Sequence, residues 1–311
     1  MTSIVTITLN PAVDQTVSVP NFRAGAVNRV MWEQSDPGGK GVNVASFLAD
    51  FNHSVTVSGF LGKENANVFE SFFERKGIIN RFIQISGHTR INIKIIDDIQ
   101  NQVTDLNFPG QSPSAEDIDI LHRTINKLAI DHDWFVLAGS IPAGISSTIY
   151  AELTQHLKAL GKKVVLDASG ESLQQAISAA PYAIKPNIDE LQELLNRTLS
   201  NETEVVQAAR DLLKQNIHTV VVSMGAQGAI FVEADAAVWA IPPAVDVVST
   251  VGAGDAMVSG LIVGKLRGLK LADCARLATA FSMGALSQLG PRLPPVSTLE
   301  AWIDQVKITN L

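Results

Sequence analysis

Asp255 directly follows Gly252-Ala253-Gly254 and precedes a long run of small and apolar residues. Glycines let a backbone come close to a ligand. The first turn of a helix also presents unpaired N–H groups at the positive end of its dipole. The segment therefore predicts an anion site suited to a phosphoryl group in transfer. A carboxylate beside such a site can accept a proton from an attacking hydroxyl. Strand-like residues Val245–Val248 are expected to lead into the turn. The plainer alternative is a tight turn in which Asp255 only caps the helix.

Three further segments carry candidate chemistry. Pro37-Gly38-Gly39-Lys40-Gly41-Val42-Asn43 opens a helix, with glycine N–H groups available to sugar hydroxyls and Lys40 available to an anion. Its plain reading is a Gly-rich turn with a solvated lysine. Lys185-Pro186-Asn187-Ile188-Asp189-Glu190 has the spacing of a capping box between Asn187 and Glu190. The same two groups can hold magnesium-bound water near nucleotide phosphates. Ser223-Met224-Gly225-Ala226-Gln227-Gly228 lies between two apolar strands. It reads as a hairpin turn or as a floor for phosphates and ribose. Two familiar phosphate motifs are missing. Gly260-Leu261-Ile262-Val263-Gly264-Lys265 is followed by Leu266 and not by Ser or Thr, and no strand-coupled G-x-G-x-x-G occurs.

The elements that must position these residues follow from periodicity. Short Val- and Ile-rich runs, Ile4–Leu9, Val55–Phe60, Trp134–Leu137, Val164–Leu166, Tyr182–Ile184 and Thr219–Val222, alternate with stretches of helical period. The helical stretches include Val42–Phe51, Asn65–Lys76, Ala115–Ala129, Ser147–Leu160, Asp189–Leu195 and Glu202–Gln215. The alternation predicts an α/β fold with a mainly parallel central sheet covered on both faces. Val13–Val19, Arg90–Ile95 and Val103–Phe108 break the pattern with period two or an isolated strand. They predict a small separate sheet, acting as a lid, a dimer surface, or both.

Bulk properties bound the function. With 311 residues, 46% hydrophobic and 18% charged, the chain has a globular composition. A net charge of −7 without a Lys/Arg run argues against nucleic acid and anionic membranes as partners. Cys274 is the only cysteine, expected as a buried helical thiol. The start, Met1-Thr2-Ser3-Ile4-Val5, lacks signal-peptide character. No apolar stretch approaches the ~20 residues of a membrane span. The cytoplasm is the expected location.

Together the segments resemble the PfkB, or ribokinase-like, sugar kinases over essentially the whole chain. The resemblance rests on Thr8-Leu9-Asn10-Pro11-Ala12-Val13-Asp14, Gly38–Asn43, Lys185–Asn187 with Glu190, Ser223–Gly228 and Thr250–Asp255, in that order. It implies a single three-layer α/β/α domain over 1–311, with lid strands from about 12–35 and 88–108. It implies Asp255 as catalytic base, with Gly252, Ala253 and Gly254 as the anion hole. Asp14, Gly38, Gly39, Lys40, Asn43, Arg90 and Ser140 would bind the sugar substrate. Lys185, Asn187, Ser223, Gly225, Gly228 and Ser249 would serve the nucleotide, with Met283, Gly284 and Ser287 bordering the adenine. ATP and Mg²⁺ are the implied cofactors, with Glu190 acting on the metal through water, and a homodimer would form through the lid.

Leu9–Asp14 and Thr89–Lys94 resemble the phosphosugar branch of the family. Period two places Arg90, Asn92 and Lys94 on one strand face, where a guanidinium can bind a phosphate with two parallel bonds. Lys94 alone reads equally as a solvated lid charge, and Arg29 is a second cation for the same phosphate. The branch implies phosphorylation of fructose 1-phosphate at its 6-hydroxyl, with tagatose 6-phosphate and fructose 6-phosphate as alternative substrates. A non-catalytic sugar- or nucleotide-binding module on the same fold is the alternative from another class.

Overall fold

The computed structural model describes residues 3–311. The chain opens with β1 (Ile4–Thr8), then β2 (Ala12–Ser18) and β3 (Trp32–Gly38), and enters α1 (Lys40–Asp50) through Gly39. β4 (Val55–Gly62), α2 (Ala66–Lys76) and β5 (Ile79–Ile85) follow, then β6 (Arg90–Asp97) and β7 (Gln102–Leu106). A regular alternation continues through α3 (Ala115–Asp131), β8 (Trp134–Ala138), α4 (Ile149–Ala159), β9 (Lys163–Asp167), α5 (Gly170–Ile177), β10 (Ala183–Ile184) and α6 (Ile188–Leu195). The rest is α7 (Glu202–Leu213), β11 (Thr219–Ser223), β12 (Ala229–Glu233), β13 (Ala236–Ile241), α8 (Ala253–Leu266), α9 (Leu271–Leu286), α10 (Val296–Ile303) and β14 (Lys307–Asn310).

The large sheet has the order β14-β13-β12-β11-β10-β9-β8-β1-β4-β5. Its strands pair in parallel from β5 to β11 and antiparallel from β11 to β14. Successive side chains of a strand point to opposite faces, so the apolar runs feed two cores at once. Ile4, Trp134 and Val136 pack with α1, α2, α8, α9 and α10 on one face. Val5, Ile7, Phe135 and Leu137 pack with α3 to α7 on the other. Burial on both faces explains why these strands read as unbroken apolar runs. The expected three-layer arrangement with a mainly parallel sheet is the observed one.

The second sheet has the order β3-β2-β6-β7 and stands apart from the main body. Its core is small, built on Val17, Val19 and Ile95 with Phe22 and Ile93 against them. The stretches 12–35 and 88–108 contain its strands, except that β3 runs on to Gly38 and so delivers the chain straight into α1. One expectation fails. Val245–Val248 is not a strand: β13 ends at Ile241, and Pro242-Pro243, which lack N–H donors for a ladder, put the next residues into extended loop.

Helices α8 and α9 approach closely because α8 is glycine-bearing on the contact side. A Cβ at Gly260 would lie 2.6 Å from Ala278 Cα, and one at Gly264 would lie 2.8 Å from Cys274 Sγ. Cys274 is buried in this contact, as its helical setting suggested. The clash at Gly260 is with backbone, which cannot rotate away. Gly260→Val is therefore expected to lower unfolding free energy by about 2–3 kcal/mol, read as a reduced urea midpoint at constant m-value.

Candidate active site

Most of the residues with candidate chemistry gather where the parallel strands end in their carboxyl termini, the usual ligand edge of an open α/β sheet. Asn10 follows β1, Ser140 follows β8, Asp167 ends β9 and Lys185 follows β10. Gly252 takes φ +79, a left-handed conformation that costs glycine little, and caps α8 so that Ala253 begins the helix. Asp255 thereby sits in the first turn, only 6% exposed. The Asn43 amide, from the first turn of α1, donates to Asp255 Oδ2 at 2.8 Å, while Asn43 Oδ1 is buried without a partner.

The centre of charge is Asp167, which the sequence reading passed over. Its side chain is fully buried. Lys40 Nζ lies 2.9 Å and Lys185 Nζ 3.5 Å from its Oδ1, whereas its Oδ2 has no partner. Lys185 also touches Gly254, since a Cβ there would meet Lys185 Nζ at 3.1 Å. Two ammoniums thus stand beside the anion hole, fixed by one carboxylate. Removing that carboxylate would strand the buried Lys185 ammonium and release the partly exposed Lys40, and is expected to destabilise the fold. The signal available in sequence was an aspartate closing the apolar run Val164–Leu166, at the ligand edge.

These neighbours set proton affinities. Burial, reinforced by the charge of Asp167, pushes Asp255 up to about 6, with Lys40 and Asn43 acting against the rise. For Asp167 the burial penalty is outweighed by Lys185 and Lys40, and its carboxyl is held below the ordinary range. Burial disfavours the Lys40 charge, but Asp167 and Asp255 more than offset it and raise its pKa. A carboxylate poised near 6 beside fixed cations is ionised at neutral pH yet still basic enough to take a proton.

Two cavities flank this centre, one reached through Lys40 and Asn43 and the other through Ala253 and Gly254, while Asp255, Gly252, Asp167 and Lys185 themselves line neither. One, of about 550 Å³, lies between the main body and the small sheet. Asp14, Gly39, Lys40, Asn43, Arg90 and Ser140 all line it. So does Ser249, expected on the nucleotide side. Asn92 and Lys94 join Arg90 there, as period two required. Gly38 lies behind Asp14, where a Cβ would fall 2.0 Å from Asp14 Oδ2. Arg90 donates to the carbonyls of Asn10, Pro11 and Phe108, which fixes the guanidinium and leaves two of its five N–H groups free. Lys94 pairs with Asp105 at 2.5 Å. Arg29 is exposed and outside the cavity.

The second cavity, about 750 Å³ and more apolar, lies on the far side of the Gly252–Gly254 turn. Ser223, Gly225, Gly228 and Met283 line it, together with Ala253 and Gly254 of the anion hole. Gly284 and Ser287 lie outside: Gly284 faces Leu299 and Leu293, and Ser287 donates back to Gly284 O. Thr279 and Ser282, one turn earlier on α9, hold the wall instead. Lys185 is buried behind Gly254. Asn187 and Glu190 form the expected capping box, each bonding the other's backbone N–H, and line neither cavity.

A glycine turn at a helix start, a raised carboxylate, two lysines and two flanking cavities are the features a phosphotransferase site requires. The family model for pfkB carbohydrate kinases matches residues 1–299, and the chain belongs to that family. It is 51% identical over 309 residues to a 1-phosphofructokinase of Rhodobacter capsulatus, covering 99% of this chain and 98% of that one. It is 41% identical to the 1-phosphofructokinase of Vibrio cholerae, covering 99% and 97%. Phosphofructokinase-2 from Escherichia coli, solved in complex with fructose-6-phosphate, superposes with a TM-score of 0.88 at 25% identity, covering 98% and 99%. The family makes ATP the expected phosphoryl donor.

The raised carboxylate has a measurable signature. With ionised Asp255 as the proposed base, kcat/KM is expected to fall on the acid side with an apparent pKa near 6. Asp167→Asn removes a negative neighbour and should move that limb to lower pH while depressing the plateau. A limb that moves upward in this variant would contradict the assigned coupling.

Proposed function

We propose that the protein transfers the γ-phosphoryl group of ATP to the 6-hydroxyl of fructose 1-phosphate, giving fructose 1,6-bisphosphate and ADP. The observation that carries this reading is the position of Asp255. Its carboxylate is fixed by Asn43 from the polar cavity and its own helix turn opens on the other cavity. An alcohol on one side and a terminal phosphate on the other can meet there in line. The relatives named 1-phosphofructokinase support fructose 1-phosphate as the acceptor.

In this reading Asp14, Gly39 and Asn43 hold ring hydroxyls. The C1 phosphate is taken by the free edge of Arg90, with Lys94 beside it. For Lys40, available in sequence to an anion, the tie to Asp167 favours the transferred group as its target. As the O6–P bond forms, the bond from phosphorus to the ADP oxygen breaks, and the O6 proton passes to Asp255. The amides of Gly252–Gly254 with Lys40 and Lys185 neutralise the charge on the moving group; losing such donors typically costs ~10²–10³-fold in rate.

Magnesium fits as an ion carried on the ATP phosphates, since it binds through few carboxylates and keeps its waters. Among the described residues no group of three or more potential ligands is close enough to cage an ion. The unpartnered Asp167 Oδ2 and the Glu190 carboxylate are the groups available to it or its waters. When bound, it would supply charge neutralisation on the phosphates.

Asp255→Asn should lower kcat by at least ~10²-fold while ATP affinity stays within about twofold by calorimetry. Near-normal kcat would remove Asp255 as the base. Side-by-side turnover of fructose 1-phosphate, tagatose 6-phosphate and fructose 6-phosphate tests the acceptor, and preference for either 6-phosphate would displace this assignment.

We further propose that two copies pair through the small sheet. Val30, Met31, Trp32, Ile91, Val103 and Leu106 are exposed on it or on its loop, more apolar surface than so small an element ordinarily leaves bare. Met31→Glu with Val103→Glu is expected to convert a dimer to a monomer in sedimentation velocity. A wild-type monomer at tens of micromolar would refute the pairing.

A further inference from the structure

Asp36 and Arg292 lie outside every motif above, yet they meet beside the sugar cavity. Asp36 is on β3, directly opposite Asp14 on β2. It is 8% exposed and lines the cavity. Arg292 is on the loop between α9 and α10, in the main body. Its Nη2 lies 2.6 Å from Asp36 Oδ1, and its Nη1 donates to Leu289 O at 2.5 Å. Gln34 donates to the other oxygen of Asp36 at 2.6 Å. Gly290, at φ +77, brings its backbone so close that a Cβ would fall 2.5 Å from Asp36 Oδ2. The pair therefore ties an edge strand of the small sheet to the loop whose Gly290 and Pro291 form the opposite rim of the cavity.

We propose that the Asp36–Arg292 pair is a positioning device for sugar binding. It holds β3 against the body, and it neutralises the carboxylate facing Asp14 so that Asp14 can stay ionised and accept sugar hydroxyls. The inference rests on the proposed role of Asp14 in the sugar cavity.

The charges around Asp14 give the pair two separable effects. Burial raises Asp14, with the Asp36 charge adding to the rise, while Asn92, Arg90 and Lys94 from β6 oppose it. Asp36 itself faces Arg292 and, further off, Lys76 of α2, which is paired with Asp50. Without Arg292 the negative charge of Asp36 acts on Asp14 unopposed, and Asp14 keeps its proton to higher pH. Without the Asp36 charge, Asp14 loses its proton more readily, although the mechanical tie is gone in both cases.

The test compares Arg292→Ala, Arg292→Lys and Asp36→Asn in the full-length enzyme, with KM for fructose 1-phosphate and for ATP measured from pH 5.5 to 8.5. Both disrupting variants should raise the sugar-phosphate KM about tenfold at neutral pH, a change worth 1.4 kcal/mol, and leave the ATP KM within twofold. The pH dependences should split. KM should climb more steeply toward acid in Arg292→Ala than in wild type, and less steeply in Asp36→Asn, with Arg292→Lys close to wild type. Equal rises in both KM values, or parallel pH profiles for the two disrupting variants, would overturn the proposal in favour of a purely structural pair. Hydrogen exchange in the unliganded protein provides a reading independent of substrate identity. Amides of Trp32–Gly38 should exchange faster in Arg292→Ala, with the main sheet unchanged, and unaltered exchange of that strand would overturn the tie. If wild type turns over none of the three phosphosugars, the proposed function fails, while the exchange result still decides the tie.

Discussion

Two carboxylates and two ammoniums crowd together at the head of α8, three of them buried and Lys40 partly exposed, and the rest of the site is arranged around that crowding. Asp255 and Asp167 repel each other, and water cannot screen them well at such burial. Lys40 and Lys185 resolve the conflict unevenly. Both bond Asp167, which stays ionised, and leave Asp255 with an amide partner and a raised proton affinity. The result is a division of labour between chemically identical groups. One carboxylate fixes cations and the other is left with a raised proton affinity, a separation by environment of the kind that suits the proposed base. Neither side chain could be placed without the other three, so this part of the molecule behaves as one electrostatic unit.

The scaffold explains how four elements distant in sequence can be held to that tolerance. Each charge sits at the end of a central strand or the start of a helix packed on both cores, not on a free loop. The small sheet contrasts with this. Its own core is a handful of side chains, so its position over the cavity must come from contacts with the body or with another chain. Arg292 against Asp36 is an example of the body supplying such placement from a segment remote in sequence.

Much of this was legible in the amino-acid sequence, and the reasons are local. β1, β4, β8, β9, β10 and β11 announced themselves because burial on both faces leaves no polar interruption, and the Asn187–Glu190 cap because its geometry is encoded within four residues, whereas the half-exposed edge strand β5 did not. The Gly252–Asp255 turn was legible because only glycine tolerates its backbone. What escaped depends on tertiary contact. Asp167 is an ordinary aspartate until Lys40 and Lys185 arrive from other elements, and Asp36 gains meaning only from Arg292, 256 positions away. The Val245–Val248 strand was a false reading of β-branched composition, overruled by two prolines and by a wall that has to follow a cavity. The register of α9 toward the second cavity was missed by one turn, because helical periodicity identifies a face but not which end of it meets a ligand.

The glycine-mediated contact between α8 and α9 has a consequence for how the enzyme can vary. α8 carries Asp255, and α9 carries Thr279, Ser282 and Met283 of the apolar cavity wall. With backbone against backbone at Gly260, neither helix can slide or tilt without the other. The chemical centre and the wall beside it therefore form a single rigid piece. Evolutionary change in the apolar cavity is confined to side-chain exchange on a fixed frame, because any shift of the frame itself would carry Asp255 with it.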